Sequence, residues 1–334
     1  MTFLMKRRAF LAAGGSVLAA PAILSFGREA RAAVTLTLGH GAAPGNPRTI
    51  AADKFAELVK AKTEGRVTIN VAGSETLGSD AAMLTSLRTG ALDITANSQG
   101  PVSALIPEIA ALGLPFLFET AEQAIKVLQG DVGKALAERF DAVGLVTLDW
   151  WDNGIRHLSN SKLAVKTPDD VKGLKIRTPA DPMTIDIFEA LGASTEQIAF
   201  GELYIALQQG VVDGQENPLA NIESSKLYEV NKYISLTAHK WESTPFLMSK
   251  MSEARLGDDL EAVKAAALEA GTLQRDLSAQ KATETLEAFK ANPAIEISEV
   301  DRAAFAAATT SVLETWKQKP FGEFVAQIAA AAKG

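Results

Sequence analysis

The 334-residue chain contains no cysteine and only three histidines, His40, His157 and His239. The first absence excludes disulfides, thiolate metal sites and a cysteine nucleophile. The second leaves no His-x3-His pair of the kind that builds a zinc site, so neither a metal nor a cofactor is expected. Glycine-rich phosphate loops of the G-x-G-x-x-G and G-x4-G-K-S/T types are missing, as is a G-x-S-x-G nucleophile elbow. Positive charge is also in short supply, with 33 Lys and Arg against 40 Asp and Glu. An acidic surface excludes nucleic acid and anionic lipid as natural partners. Aromatic residues make up only 6% of the chain, so each tryptophan matters. Trp150, Trp151 and Trp241 are candidates to stack on the apolar face of a ligand, with core packing as the alternative; Trp241 is kept as a site candidate.

What is present begins with an address. Lys6-Arg7-Arg8 is a twin-arginine start, followed by an apolar stretch over residues 9–26 that Gly14, Gly15 and Pro21 interrupt. Ala30-Arg31-Ala32 then supplies small residues at −3 and −1 of a cleavage site. A membrane span needs about 20 strongly apolar residues, which this broken run does not offer. Residues 1–32 therefore predict export to the periplasm by the twin-arginine route, with a mature start near Ala33. Removing that segment takes away five cations and one anion and leaves 28 Lys and Arg against 39 Asp and Glu, a net charge of −11.

Beyond it, strand and helix patterns alternate. Residues 34–38 alternate apolar and polar, 50–59 carry apolar positions at helical spacing, and 66–71 read as a second strand. A helix over 80–87, a strand over 91–96, a capped helix from Thr120, and strands over 144–150, 174–177 and 211–213 continue the series. Such βαβ spacing predicts a mostly parallel sheet flanked by helices. Near the end, residues 258–290 hold a helical pattern of about 45 Å, longer than one small lobe needs. It is expected to lie across two lobes joined by several crossing segments.

Three polar residues stand at predicted element ends. Arg177 closes a strand before Thr178-Pro179, Arg156 follows the strand over 144–150, and Asn217 ends the turn Asp213-Gly214-Gln215-Glu216-Asn217-Pro218. Open α/β sheets place ligands at strand carboxyl ends. A planar guanidinium offers paired donors that match a carboxylate, and an amide can satisfy its other lone pairs. Each residue by itself reads more readily as a surface arginine or a turn-forming asparagine, and only the three together at strand ends bring an anion site level with that reading.

The run from Leu174 through Ile176-Arg177-Thr178-Pro179, Ala190 to Ala193, Ala199 to Gln208 and Gly210 to Pro218 resembles the solute-binding proteins of TRAP transporters, the tripartite ATP-independent periplasmic systems (DctP family). Asp152-Asn153-Gly154-Ile155-Arg156, Leu77-Gly78-Ser79-Asp80 and Gly90-Ala91-Leu92-Asp93 match further family patterns, and the likeness covers the whole mature chain. The resemblance implies a two-lobed periplasmic-binding-protein fold of the α/β class that closes over its ligand. We expect lobe I to comprise 34–154 plus 243–282, and lobe II 155–242 plus 283–334.

By the same resemblance, Arg177 forms a two-pronged salt bridge with a ligand carboxylate and Asn217 bonds that carboxylate. Arg156 contacts the head group, and Phe200 lines the pocket. Asp80, Asn97 and the loop at His40 reach the distal groups. The expected partners are a small organic acid and the TRAP membrane subunits. A sugar acid leads, with a C4-dicarboxylate or 2-oxo acid as the alternative. A periplasmic enzyme on this scaffold would need His157 or Glu216 as its base, a sensor presenting its ligand to a receptor kinase is a further alternative, and Glu216 is also the one candidate to ligate a metal. Ser194-Thr195-Glu196-Gln197 stands where many relatives carry a Pro-x-Pro stretch, and Asn97 replaces the acidic residue of sialic-acid binders.

Overall fold

The structure, a computed structural model, describes residues 33–333. The twin-arginine segment 1–32 and its cleavage site lie outside the described residues. Among those residues, nine strands form one sheet: β1 (Val34–His40), β2 (Val67–Ala72), β3 (Ile94–Ala96), β4 (Leu145–Asn160), β5 (Lys175–Thr178), β6 (Ser194–Gln197), β7 (Gly214–Asn217), β8 (Tyr233–Ser249) and β9 (Glu296–Ser298). Their order is β2-β1-β3-β8-β4-β7-β5-β6, with β9 beside β8.

The two ends of the sheet are parallel, as the βαβ spacing predicts. β1 pairs in parallel with β2 and β3, and β5 with β6 and β7. The centre departs from that expectation: β8 runs antiparallel to β3 and β4, and β4 antiparallel to β7. β4 also extends ten residues beyond Trp150, where the apolar pattern stops, and β8 had no counterpart in the sequence reading. Both strands bury polar side chains midway, among them Asp152, Asn153, Arg156, Glu242 and Thr244. Those residues break the alternation by which a strand is recognised, and they find buried partners instead of facing water: Glu242 binds Arg156 and Asn153, Asp152 binds Trp241, and Thr244 binds Arg48.

The long strands form the passage between the halves. Their register slips between Thr147 and Asp149, Asp152 and Gly154, and Arg156 and Leu158. At the second slip Gly154 adopts φ +121°, and a Cβ there would sit 3.0 Å from the Pro218 side chain. Gln274 repairs the ladder at this point: its side-chain amide accepts from the Asp152 N–H at 2.8 Å and donates to the Asp152 carbonyl at 2.7 Å.

Gln274 belongs to the long helix, Leu260–Ala291, whose 32 residues span about 48 Å. Its first half packs on the helix Pro47–Lys62 and shares a core with Phe55, Trp151 and Phe246. Its last turns reach a second cluster, where Phe289 joins Leu203, Ile222 and Ile234. Gly271 lets it lie close to β4, since a Cβ there would overlap the Asp149 carboxylate. The fold is thus a two-lobed α/β architecture tied by two strands and one helix. Among the described residues, no helix is long and apolar enough to cross a membrane.

Candidate ligand-binding cleft

Because the two parallel ends of the sheet meet through antiparallel strands, the carboxyl ends of both face one cleft of about 200 Å³. Gly41 and Ala42 follow β1, Glu75 follows β2, and Ser98 follows β3; Pro179 follows β5, Phe200 follows β6, and Asn217 ends β7. Of the residues singled out from sequence, Arg177, Asn217, Arg156, Phe200 and Asp80 line this cleft together.

Arg177 is buried, 3% exposed, yet among the described residues it has no carboxylate partner within salt-bridge distance. Its Nε and Nη2 donate to the Ile198 carbonyl at 2.8 and 2.6 Å, which fixes the plane of the guanidinium. The terminal fork, both Nη1 hydrogens and one on Nη2, is left without a protein acceptor. Burial lowers the Arg177 pKa to about 10; more distant Glu216 partly opposes this while Arg156 adds to it. The ring of Phe200 lies 5.9 Å from its Cζ. A buried cation without a counter-charge is unfavourable, so the fork is a strong site for an anion. Asn217, also buried, donates through Nδ2 to Gln215 and accepts from Asn221 at 3.2 Å.

Arg156 is differently placed. Its Nε and Nη2 bind the Glu216 carboxylate, Nη2 also reaches the Glu216 carbonyl at 2.6 Å, and Nη1 binds Glu242. Burial works against its charge, but the two glutamates prevail and hold its pKa well above the ordinary value. Four of its five N–H groups are engaged, so Arg156 braces the cleft wall and has one N–H left over. Glu216 is likewise consumed: burial pushes its pKa up, but Arg156 and the His239 Nε2, 3.2 Å away, hold it far below the usual carboxylate range. Neither a free base nor a metal ligand remains there, and among the described residues no group of three acidic or histidine side chains is placed to hold a metal ion.

The opposite wall contributes Arg48 and Glu75, which the sequence reading passed over, beside Asp80, which it singled out. Arg48 is buried and donates to Asn153 at 3.0 Å and Thr244 at 2.8 Å, again without a carboxylate partner among the described residues. It occupies the first turn of the helix Pro47–Lys62, where the helix dipole disfavours a cation; that misplacement was the available signal. Asp80 opens the helix Asp80–Arg88 and accepts from the Ser98 N–H at 3.3 Å, while its Oδ1 is buried without a partner. Glu75 stands between Gly73 and Gly78 in the loop leaving β2, the position at which open sheets present ligand contacts. Burial raises its pKa.

A model of the bacterial extracellular solute-binding proteins, family 7 (DctP), matches residues 38–319. The chain belongs to this family. It is 73% identical over 322 residues to the uncharacterized protein y4mM of Sinorhizobium fredii, covering 96% of this chain. The chain spans 59% of that relative's length. It is 34% identical to the 2,3-diketo-L-gulonate-binding periplasmic protein YiaO of Escherichia coli, covering 85% of this chain and 87% of the other. Among solved structures, it is similar to the sugar acid binding protein DctPAm of Advenella mimigardefordensis in complex with galactonate. The TM-score is 0.88 at 33% identity, over 90% of this chain and 98% of that one. DctP-family proteins are periplasmic ligand-binding components that work with TRAP membrane subunits and are not enzymes.

Three expected site residues of this DctP-family chain do not line the cleft. Trp241 packs edge-on against Phe118 at 5.7 Å and donates its indole N–H to Asp152 at 2.7 Å, so it is a core residue. Asn97 turns inward and donates to the Asp80 carbonyl at 2.8 Å, which supports the helix carrying Asp80. His40 lies beneath the loop after β1, where its Nδ1 accepts from the Ala42 N–H at 3.2 Å. Each follows or lies within a strand whose neighbours do reach the cleft. The inward half of the side-chain alternation holds them.

His40 carries a testable consequence. Burial, aided by Arg48, lowers its pKa from 6.5 to about 4. The unfolded chain therefore binds a proton that the folded chain refuses as pH falls from 6.5 towards 4, and stability declines over that window. The shift corresponds to about 3 kcal/mol. Unfolding free energies measured between pH 7 and 4 should fall less steeply in His40→Gln than in the unsubstituted protein. Parallel curves would contradict this.

Proposed function

We propose that this protein captures a sugar acid, an aldonate or uronate, in the interlobe cleft and delivers it to the TRAP membrane subunits. The observation that carries the reading is the unpaired terminal fork of buried Arg177. A ligand carboxylate there gains two charge-assisted bonds and supplies the missing counter-charge, with Asn217 beside it and Phe200 against the carbon chain. At the far end, Asp80 and Glu75 accept hydroxyl hydrogens while Arg48 donates. Asp80 and Glu75 offset the charge of Arg48 there, so a second ligand carboxylate gains little, which favours a hydroxylated monoanion over a C4-dicarboxylate. The ligands named for the relatives, galactonate and 2,3-diketo-L-gulonate, support the same class. In this reading lobe I comprises 34–154 plus 243–282, lobe II comprises 155–242 plus 283–334, and the chain leaves the cytoplasm by the twin-arginine route through residues 1–32.

A thermal-shift comparison of galactonate, glucuronate and succinate tests the ligand class. A ligand at one hundred times its dissociation constant adds about 2.7 kcal/mol of stability, which for a chain of this size raises Tm by roughly 4 °C. The expected result is stabilisation by at least one sugar acid and none by succinate. Stabilisation by succinate alone overturns the assignment.

A further inference from the structure

Glu75 is a cleft carboxylate whose side chain binds backbone on the opposite wall. Its Oε2 accepts from the Gly201 N–H at 2.8 Å. Gly201 lies in the short helical turn Phe200–Glu202 that follows β6, whereas Glu75 stands in the loop leaving β2 at the other end of the sheet. Two further observations converge on this contact. A Cβ at Gly201 would stand 2.7 Å from the same Oε2, so the approach depends on glycine. Ser74 and Glu75 both adopt φ +56°, a left-handed conformation unfavourable for residues with a side chain. Two consecutive residues persist there only when their surroundings hold them, and the result is a carboxylate aimed across the cleft mouth.

We propose that Glu75 is a latch: its bond to the Gly201 N–H forms only when the lobes close and holds the closed cleft shut. In an open cleft both groups are hydrated, so the bond favours the closed state alone and acts by population shift. Because Glu75 also lines the cleft, it couples that bond to the distal end of the ligand. The inference rests on the cleft being one that closes, and not on which acid fills it.

The absence of cysteine makes a direct test simple. Spin labels at Glu57→Cys, on the helix packed against β1 and β2, and at Glu189→Cys, on the helix packed against β6, report the lobe separation. The distance distribution is measured with and without galactonate. Glu75→Ala and Gly201→Ala should each deplete the short-distance population about tenfold, which corresponds to about 1.4 kcal/mol, and the double variant should add nothing further. Glu75→Gln, which keeps an acceptor oxygen, should restore part of the effect. Thermal unfolding of each variant separates loss of the latch from loss of the fold. An unchanged distribution in Gly201→Ala, additive effects in the double variant, or no short-distance population in the parent overturns the latch. A parent that responds to the latch substitutions but not to galactonate overturns only the ligand class.

Discussion

Arg177→Ala should weaken sugar-acid binding by about 3–5 kcal/mol, a loss of about two to three and a half orders of magnitude in affinity. The reason is the asymmetry of its environment. Nε and one Nη2 hydrogen already serve the Ile198 carbonyl, so the side chain is held in place before any ligand arrives. Little ordering then offsets the carboxylate bond. Truncation removes both prongs and leaves a desolvated ligand carboxylate facing Asn217 alone. Arg177→Lys should recover only part of the loss, since an ammonium cannot reproduce the planar fork. Because the buried guanidinium has no carboxylate partner among the described residues, the variant should fold at least as stably as the parent. Calorimetry and thermal unfolding of the same samples therefore separate binding from folding. An unchanged dissociation constant would eliminate the carboxylate clamp.

Glu216→Ala should have the opposite signature, a large loss of stability. Arg156 and Glu216 are both essentially inaccessible, with side-chain exposures of 3% and 0%. Removing one partner of such a pair leaves an uncompensated buried charge and destabilises by about 3–5 kcal/mol. Glu242 still holds the Arg156 Nη1, so the lower part of that range is expected. Equilibrium denaturation followed by tryptophan fluorescence measures the effect, and a difference below about 1 kcal/mol would refute it. The pH dependence has a definite sign. Glu216 titrates in the folded state far below its ordinary value of 4.5, so its contribution is fully present above that value and is lost as pH falls into the acid range through the folded pKa. The His40 contribution is lost earlier, from pH 6.5 downward, so acid unfolding should proceed in two overlapping stages.

The contrast between Arg177 and Arg156 marks what sequence could and could not tell. Both stand in similar motifs beyond a strand, and both were expected to meet the ligand. Only tertiary packing decides that Glu216 and Glu242 converge on one guanidinium and leave the other open. Glu242 sits 86 residues from Arg156 in sequence, and no local pattern links them. Trp241 illustrates the same limit. Its neighbours Lys240 and Glu242 are charged, and local sequence gives no sign that such a stretch is buried. The structure buries all three, with Lys240 paired to Asp181.

Local order was legible where a periodic pattern or a terminal signal carried it. The long helix, read over 258–290, is found at Leu260–Ala291, because apolar spacing and propensity need no distant partner. Arg177 and Asn217 were singled out for a related reason, since a polar group at the end of a short strand is a local feature, whereas Asp80 came from the family resemblance alone. The sequence by itself determined the alternating α/β elements, the absence of thiol chemistry and the family motifs around Arg177. Tertiary structure alone decided that the parallel halves meet through an antiparallel centre, and so bring two sets of strand ends to one cleft. It also selected which buried charges are paired. Side-chain alternation and helical periodicity act over a few residues, whereas desolvation and charge pairing depend on whatever the fold brings within about 4 Å.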